Sequence, residues 1–134
     1  MKKIISLSSV VLIASAILIS SCGKDDTNNP SQKGSFAGNW ALNENSTDFG
    51  ASTYNVTISD TASNIQFAYL YGLNPHKTFA LVSGNNFTIP IQTIQGSNVS
   101  GEGVLTTTTR IDMTYYVQST ATHYDTITAV LNKI

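Results

Sequence analysis

Apolar and polar residues alternate along the chain from residue 53 almost to its end, and this pattern most limits the folds open to it. In residues 53–59, Tyr54, Val56 and Ile58 fall on one face and polar residues on the other. A period of about two residues predicts half-buried strands, and turn signals such as Gly84 separate them. Similar short segments follow at residues 65–71, 78–82, 87–92, 99–105, 111–118 and 127–131. With an opening strand before them, the sequence predicts about eight short antiparallel strands and no long helix in the folded part.

About eight consecutive antiparallel strands favour an all-β meander that closes into a small barrel, because closure removes the exposed edges of the sheet. A two-sheet sandwich has similar strand statistics and remains the alternative. Gly101 and Gly103 share one strand face and leave room for large neighbours. A barrel of this size is either filled by side chains or holds one small ligand. We expect a filled core, because one face collects large aromatic residues: Trp40, Tyr54, Phe67, Tyr69, Phe79, Phe87 and Tyr115.

The first residues have the order of a secretory signal peptide. Lys2 and Lys3 precede an apolar run over residues 4–19, and small residues lead to Cys22, the single cysteine of the chain. This order predicts a signal peptide over residues 1–21. A transmembrane helix is the alternative, but it needs about 20 strongly apolar residues, and this run is shorter and contains serines.

The sequence Ile19-Ser20-Ser21-Cys22 resembles the lipobox of bacterial lipoproteins. The resemblance implies cleavage before Cys22 and attachment of acyl chains such as palmitate to that residue, so that the membrane itself is a partner. A cleaved signal peptide followed by a chance cysteine is the alternative. Lys24, Asp25 and Asp26 follow, and they resemble the lipoprotein export signal of Bacteroidota-type bacteria. That signal implies an outer-membrane lipoprotein that faces the cell exterior.

Residues 22–33 are polar and cannot bury a core, so we expect a lipidated cysteine followed by a disordered tether. The folded domain then covers residues 34–134. It carries three basic and six acidic residues, for a net charge of −3. Nucleic-acid binding requires clustered basic residues that replace counterions at phosphates, so this balance excludes nucleic acid as a partner.

The segment Phe36-Ala37-Gly38-Asn39-Trp40 resembles the first strand of the calycin superfamily, which includes lipocalins and fatty-acid-binding proteins. The resemblance implies that Gly38 and Trp40 plug the closed end of a barrel and that a basic residue near the last strand covers the ring. Arg110 and Lys133 are the candidates for that basic residue. The domain is also similar to small lipocalin-like surface lipoproteins of Bacteroidota-type bacteria.

Catalytic motifs for hydrolysis, phosphate binding or metal chemistry are absent from the sequence, so we expect neither an enzyme nor a cofactor. His123 and Asp125 would share a strand face, but two residues make half a metal site, and we expect them to be solvated. Glu102 and Asp112 fall on neighbouring predicted strands, and we expect them to lie on a polar surface rather than to act as an acid–base pair.

Four tyrosines are candidate contacts for a ligand or a partner. Tyr69 and Tyr115 would line a mixed polar and apolar interior, whereas Tyr71 and Tyr116 would be exposed and could stack on a sugar or a protein. Thr61 and Thr126 lie in Asp-Thr-Ala and Asp-Thr-Ile sequences, which resemble acceptor sites of Bacteroidota-type O-glycosylation.

The sequence therefore predicts a membrane-anchored surface lipoprotein that acts as a non-enzymatic binding or interaction module. Its ligand would be a small apolar molecule, a glycan or a protein partner. Two alternatives remain: a lipocalin-type carrier with an apolar ligand inside the barrel, and a purely structural envelope lipoprotein.

Overall fold

A computed structural model describes residues 36–61 and 64–134 of the chain. The predicted signal peptide, Cys22, the export signal at Lys24, Asp25 and Asp26, and the tether all lie outside the described residues. None of the described helical segments is long and apolar enough to span a lipid bilayer.

The described residues form a closed barrel in which each strand pairs antiparallel with the next and the last pairs with the first. This confirms the predicted all-β fold and decides between the barrel and the sandwich. The strands are β1 (Gly38–Ser46), β2 (Gly50–Asp60), β3 (Asn64–Ala68), β4 (Lys77–Ser83), β5 (Asn86–Ile94), β6 (Ser97–Thr107), β7 (Arg110–Thr120) and β8 (His123–Lys133). A short 3₁₀ turn, Leu70–Gly72, lies between β3 and β4.

The up-and-down topology sorts the connections into two ends. The turns that follow β1, β3, β5 and β7 lie together at one end, which we call the mouth. Trp40, near the start of β1, lies at the opposite end, beside the last residues of β8. The longest described connection between strands at the mouth, residues 69–76, joins β3 to β4.

Aromatic rings fill the interior. The Phe87 ring packs against Phe36 at a centroid distance of 5.6 Å and against Phe67 at 5.3 Å. A Cβ added at Gly103 would collide with the Phe87 ring, and one added at Gly101 would lie 2.6 Å from Cβ of Tyr115. The two glycines therefore make space for large neighbours, as predicted, and that space is occupied.

The predicted inward face of β4 is wrong. Thr78 and Ala80 are buried, whereas Phe79 is only partly buried and Leu81 is 51% exposed. Every residue from 79 to 82 is apolar, so hydrophobicity alone does not set the phase of the strand. Because Phe67 lies opposite Thr78 in the register, its ring already takes the space that a second large inward residue would need.

The pairing of β4 with β5 stops early. It covers Leu81 to Ser83 of β4, and the β5–β6 register shifts between Ile89 and Gln92. Pro90 lies in this irregularity, as its missing N–H predicts. Beyond the break, the side-chain amide of Gln92 makes the hydrogen bonds to β4 that a paired strand would make. The Phe79 N–H donates to Oε1 of Gln92 at 3.1 Å, and Nε2 of Gln92 donates to the Phe79 carbonyl at 2.9 Å.

Candidate functional site

Trp40 is fully buried and held in place at its end of the barrel. Its Nε1–H donates to the carbonyl of Phe36 at 2.8 Å, and Nζ of Lys133 lies 5.2 Å from the ring centroid. Gly38 is needed beside this pair, because its φ is +137° and an added Cβ would lie 3.0 Å from Cε of Lys133. Of the two basic candidates, Lys133 lies over Trp40, whereas Arg110 pairs with Asp112 at 2.8 Å.

A buried carboxylate, Glu44, is the centre of a polar network near the mouth. Tyr115 donates to Oε2 of Glu44 at 2.5 Å, Tyr54 donates to the same oxygen at 2.9 Å, and Ser52 donates to Oε1 at 2.9 Å. The Tyr54 hydroxyl in turn accepts the backbone N–H of Tyr71 at 2.9 Å. Glu44 therefore ties β1 to β2, β7 and the β3–β4 connection.

Asp125 is a second carboxylate at the mouth, and it is only 1% exposed. Ser46 donates to it at 2.6 Å, Thr47 and Tyr71 donate at 2.9 Å each, and the Asp48 N–H donates at 3.2 Å. Burial by itself raises the pKa of Asp125, but the hydrogen bonds outweigh it and the pKa is lowered overall. The expectation of a solvated Asp125 is wrong, because alternation cannot show that turn residues fold over the carboxylate.

His123, which shares the strand with Asp125, remains on the surface. Its Nε2 contacts Oδ2 of Asp48 at 2.5 Å, and the side chain is about half exposed. Among the described residues, no group of three or more His, Cys, Asp or Glu side chains could hold a metal ion.

The tyrosines of the network are held as protonated donors. Burial raises the pKa of Tyr115 far above its ordinary value, and the neighbouring Tyr54 and Glu44 raise it further. Burial also raises the pKa of Tyr54 and of Tyr71, with additional contributions from Glu44 and Asp125 respectively. Each hydroxyl therefore stays protonated at neutral pH and donates a hydrogen bond to a carboxylate.

The four candidate tyrosines lie in different surroundings. Tyr115 is fully buried, and Tyr71 turns inward from the β3–β4 connection rather than outward as expected. Tyr69 is 45% exposed, and β3 ends before it at Ala68, so the predicted strand across residues 65–71 is wrong at its end. Tyr116 is 41% exposed on the outer face of β7.

The two predicted glycosylation acceptors have local partners. The Thr61 hydroxyl donates to the carbonyl of Asn64 at 2.7 Å, and the two residues between them lie outside the described ranges. The Thr126 backbone N–H donates to the Thr47 hydroxyl at 3.0 Å. Asp125, which precedes Thr126 in the second acceptor sequence, is buried and hydrogen-bonded at the mouth.

An open groove of about 890 Å³ lies against five consecutive strands, from β5 through β8 to β1. Its lining contains outward-facing residues of each strand together with the inward-facing Glu44, Phe87, Gly103, Met113 and Ala129. Because the four inward side chains are at most 9% exposed, the open space lies on the outer wall of the barrel. One continuous row of cross-strand pairs runs along it: Thr88, Glu102, Thr114, Thr128 and Asn45. A parallel row includes Val104, Asp112 and Val130, which pair with one another across β6, β7 and β8. We call this surface the outer groove.

Tyr116 lies next to the outer groove, on the side nearer the mouth, since it follows Thr114 by two residues and lies on the same face of β7. Glu102 and Asp112 do lie on a polar outer face, and Asp112 is paired with Arg110. The sequence contained a signal for this surface, because polar residues alternate outward on each strand. Only the register places them in rows.

The sequence matches no family model and no curated protein. Among solved structures, the chain is similar to EF1p2_mFAP2b, whose structure was determined bound to DFHBI. The TM-score is 0.56 at 10% sequence identity, over 78% of this chain and 98% of that chain. This similarity shows a shared barrel fold.

Proposed function

We propose that this protein is a lipid-anchored surface module that binds a polar ligand on the outer groove rather than inside the barrel. The observation that carries the proposal is the contrast between a filled interior and an open groove of about 890 Å³ on the outer wall. A ligand-bound structure of a similar barrel is compatible with a binding role.

The anchor in this proposal is Cys22. Two or more acyl chains give stable membrane attachment, because each buried methylene contributes about 0.8 kcal/mol and one chain is marginal. Lys24, Asp25 and Asp26 would direct the lipoprotein to the outer face of the outer membrane. The tether would then hold the barrel clear of the lipid, with its outer wall accessible from the cell exterior.

The lining of the outer groove favours an oligosaccharide as the ligand. Threonine hydroxyls, asparagine amides and the carboxylates of Glu102 and Asp112 offer both donors and acceptors, while Val104 and Val130 provide an apolar strip. Tyr116 lies next to the groove, where a sugar ring could stack on it. The carboxylates, of which only Asp112 pairs with Arg110, disfavour an anionic saccharide.

We propose recognition without catalysis. Glu102 lies opposite Thr114 and Asp112 opposite Val104, so the two groove carboxylates do not face each other across the strands. Asp112 is further engaged by Arg110 through Nη2 and Nε. An acid and a base must both reach the reacting groups of one substrate, and Asp112 is already held by Arg110.

A carrier with a small ligand inside the barrel is the second candidate, favoured by the similar barrel that binds DFHBI. Calorimetric titration with oligosaccharides and fatty acids separates the two. Thr114→Trp should block the outer groove and weaken saccharide binding at least about ten-fold. The matched control Thr57→Trp, an exposed position on β2 outside the groove, should not.

A micromolar fatty-acid complex would contradict the proposal if Thr114→Trp left it unchanged and Tyr115→Phe abolished it. That result would place the ligand inside the barrel. Absence of any saccharide complex across neutral, cationic and anionic panels would remove the outer groove as a glycan site.

A further inference from the structure

Tyr71 occupies the mouth in the way that a bound ligand would. Its ring stands edge-on to Tyr115, at a centroid distance of 6.3 Å and an interplanar angle of 89°. Phe49 covers it at 6.2 Å. Its hydroxyl donates to Oδ2 of Asp125 at 2.9 Å. The side chain thus has an aromatic contact on two sides and one directed hydrogen bond.

The backbone that presents Tyr71 is held in an unfavourable conformation. Tyr71 has φ +55° and Tyr69 has φ +70°, both in the left-handed region. Bulky residues rarely adopt this region, and they remain there only where surrounding contacts hold them. The connection over residues 69–76 is therefore strained in the conformation that places Tyr71 in the mouth.

The site that receives the Tyr71 side chain is also held by side chains other than that of Tyr71. Asp125 also accepts hydrogen bonds from Ser46, Thr47 and the Asp48 N–H, all in β1 or the turn after it. Tyr115 is fixed separately, by its hydrogen bond to Glu44. If Tyr71 left, a positioned carboxylate and an aromatic wall would remain.

We propose that the Tyr71 side chain is a built-in occupant of a binding site for a hydroxyaromatic group, which displaces it from the mouth. The ligand's ring would lie between Phe49 and Tyr115, and its hydroxyl would donate to Asp125. The carboxylate sets the chemical class, because a ring without a hydroxyl leaves one hydrogen bond of Asp125 unmade. This site is separate from the outer groove and does not require saccharide binding there.

The test uses p-cresol, which reproduces the tyrosine side chain, and toluene, which lacks only the hydroxyl. Amide chemical shifts of the domain are followed during titration with each compound. Tyr71→Ala should bind p-cresol at least about ten-fold more tightly than the unmodified protein, because the internal competitor is gone. The variant should also prefer p-cresol to toluene by at least about ten-fold, and adding Asp125→Asn should reduce that preference, because a neutral acceptor replaces the carboxylate.

Tyr71→Phe serves if the alanine variant does not fold. It keeps the ring and removes only the hydroxyl, so it should also bind p-cresol more tightly than the unmodified protein. Tyr124→Ala is the matched control, an exposed tyrosine near the same end of the barrel, and should bind p-cresol as the unmodified protein does.

Two results would overturn the proposal. Equal affinity of Tyr71→Ala for p-cresol and toluene would mean that the mouth is an apolar void without selectivity for the hydroxyl. In the unmodified protein, saturating p-cresol should shift the amides of residues 69–76, and unchanged shifts would mean that Tyr71 is a fixed part of the core.

Discussion

Replacing Gly103 with alanine tests how tightly the barrel is filled. The new Cβ would meet the Phe87 ring and would lie 2.7 Å from Cβ of Met113, closer than real Cβ atoms approach. Overpacking a core costs about 1–3 kcal/mol, while alanine restricts the unfolded chain and returns about 0.4–1 kcal/mol. The net expectation is a loss of about 1–2 kcal/mol in the free energy of unfolding.

Urea unfolding measures this loss as a fall in the midpoint of about 1 M, with an unchanged slope. Phe87→Leu shortens the side chain that the new methyl group meets, so the double variant should lose less than the sum of the two single variants. The coupling energy should be at least about 0.5 kcal/mol, since the two positions are in direct contact. An unchanged or raised midpoint for Gly103→Ala would show that the barrel has room at Phe87, and the filled interior would be refuted.

Four further outcomes are expected. Trp40→Ala should lower the free energy of unfolding by about 3–5 kcal/mol in urea titrations, and a loss under about 1 kcal/mol would mean that the ring is not packed. Because the pKa of Asp125 is lowered in the fold, its carboxylate stabilises the fold above about pH 4, and this is lost as the pH falls through the folded-state pKa. In thermal melts recorded at several pH values, Asp125→Asn should therefore make the midpoint temperature depend less on pH in the acid range. Gln92→Ala should speed hydrogen exchange at the Phe79 amide, and unchanged exchange would show that the side chain does not close the break. Cys22→Ala should abolish metabolic lipid labelling and leave the precursor uncleaved, whereas retained labelling would end the lipoprotein hypothesis.

Alternation predicted the strands and their number because burial of one face imposes it on each segment. It failed on β4, where residues 79–82 are all apolar and both faces look alike. The inward positions there are small because Phe67 and Phe87 from neighbouring strands already occupy the interior. The sequence of one strand does not show how much of the interior the side chains of neighbouring strands already fill.

The mouth was harder to predict than the barrel. Glu44 lies in the first strand and Asp125 in the last, and their partners come from residues far apart in the chain. A polar residue on a strand is ordinarily predicted to be exposed to solvent, so the sequence did not indicate that either carboxylate is buried. Tyr71 was assigned to a strand because it continues the alternation after Phe67, but left-handed residues at Tyr69 and Tyr71 turn the chain back over the barrel.

The most direct test of recognition on the outer groove is an amide chemical-shift titration of the purified domain with the oligosaccharide that binds it best. The largest shifts should fall on Glu102, Thr114 and Thr128, while amides next to the buried side chains of Val56 and Phe67 should stay unchanged. Shifts concentrated at Val56 and Phe67, produced by a fatty acid and absent with every saccharide, would contradict it and place the ligand inside the barrel.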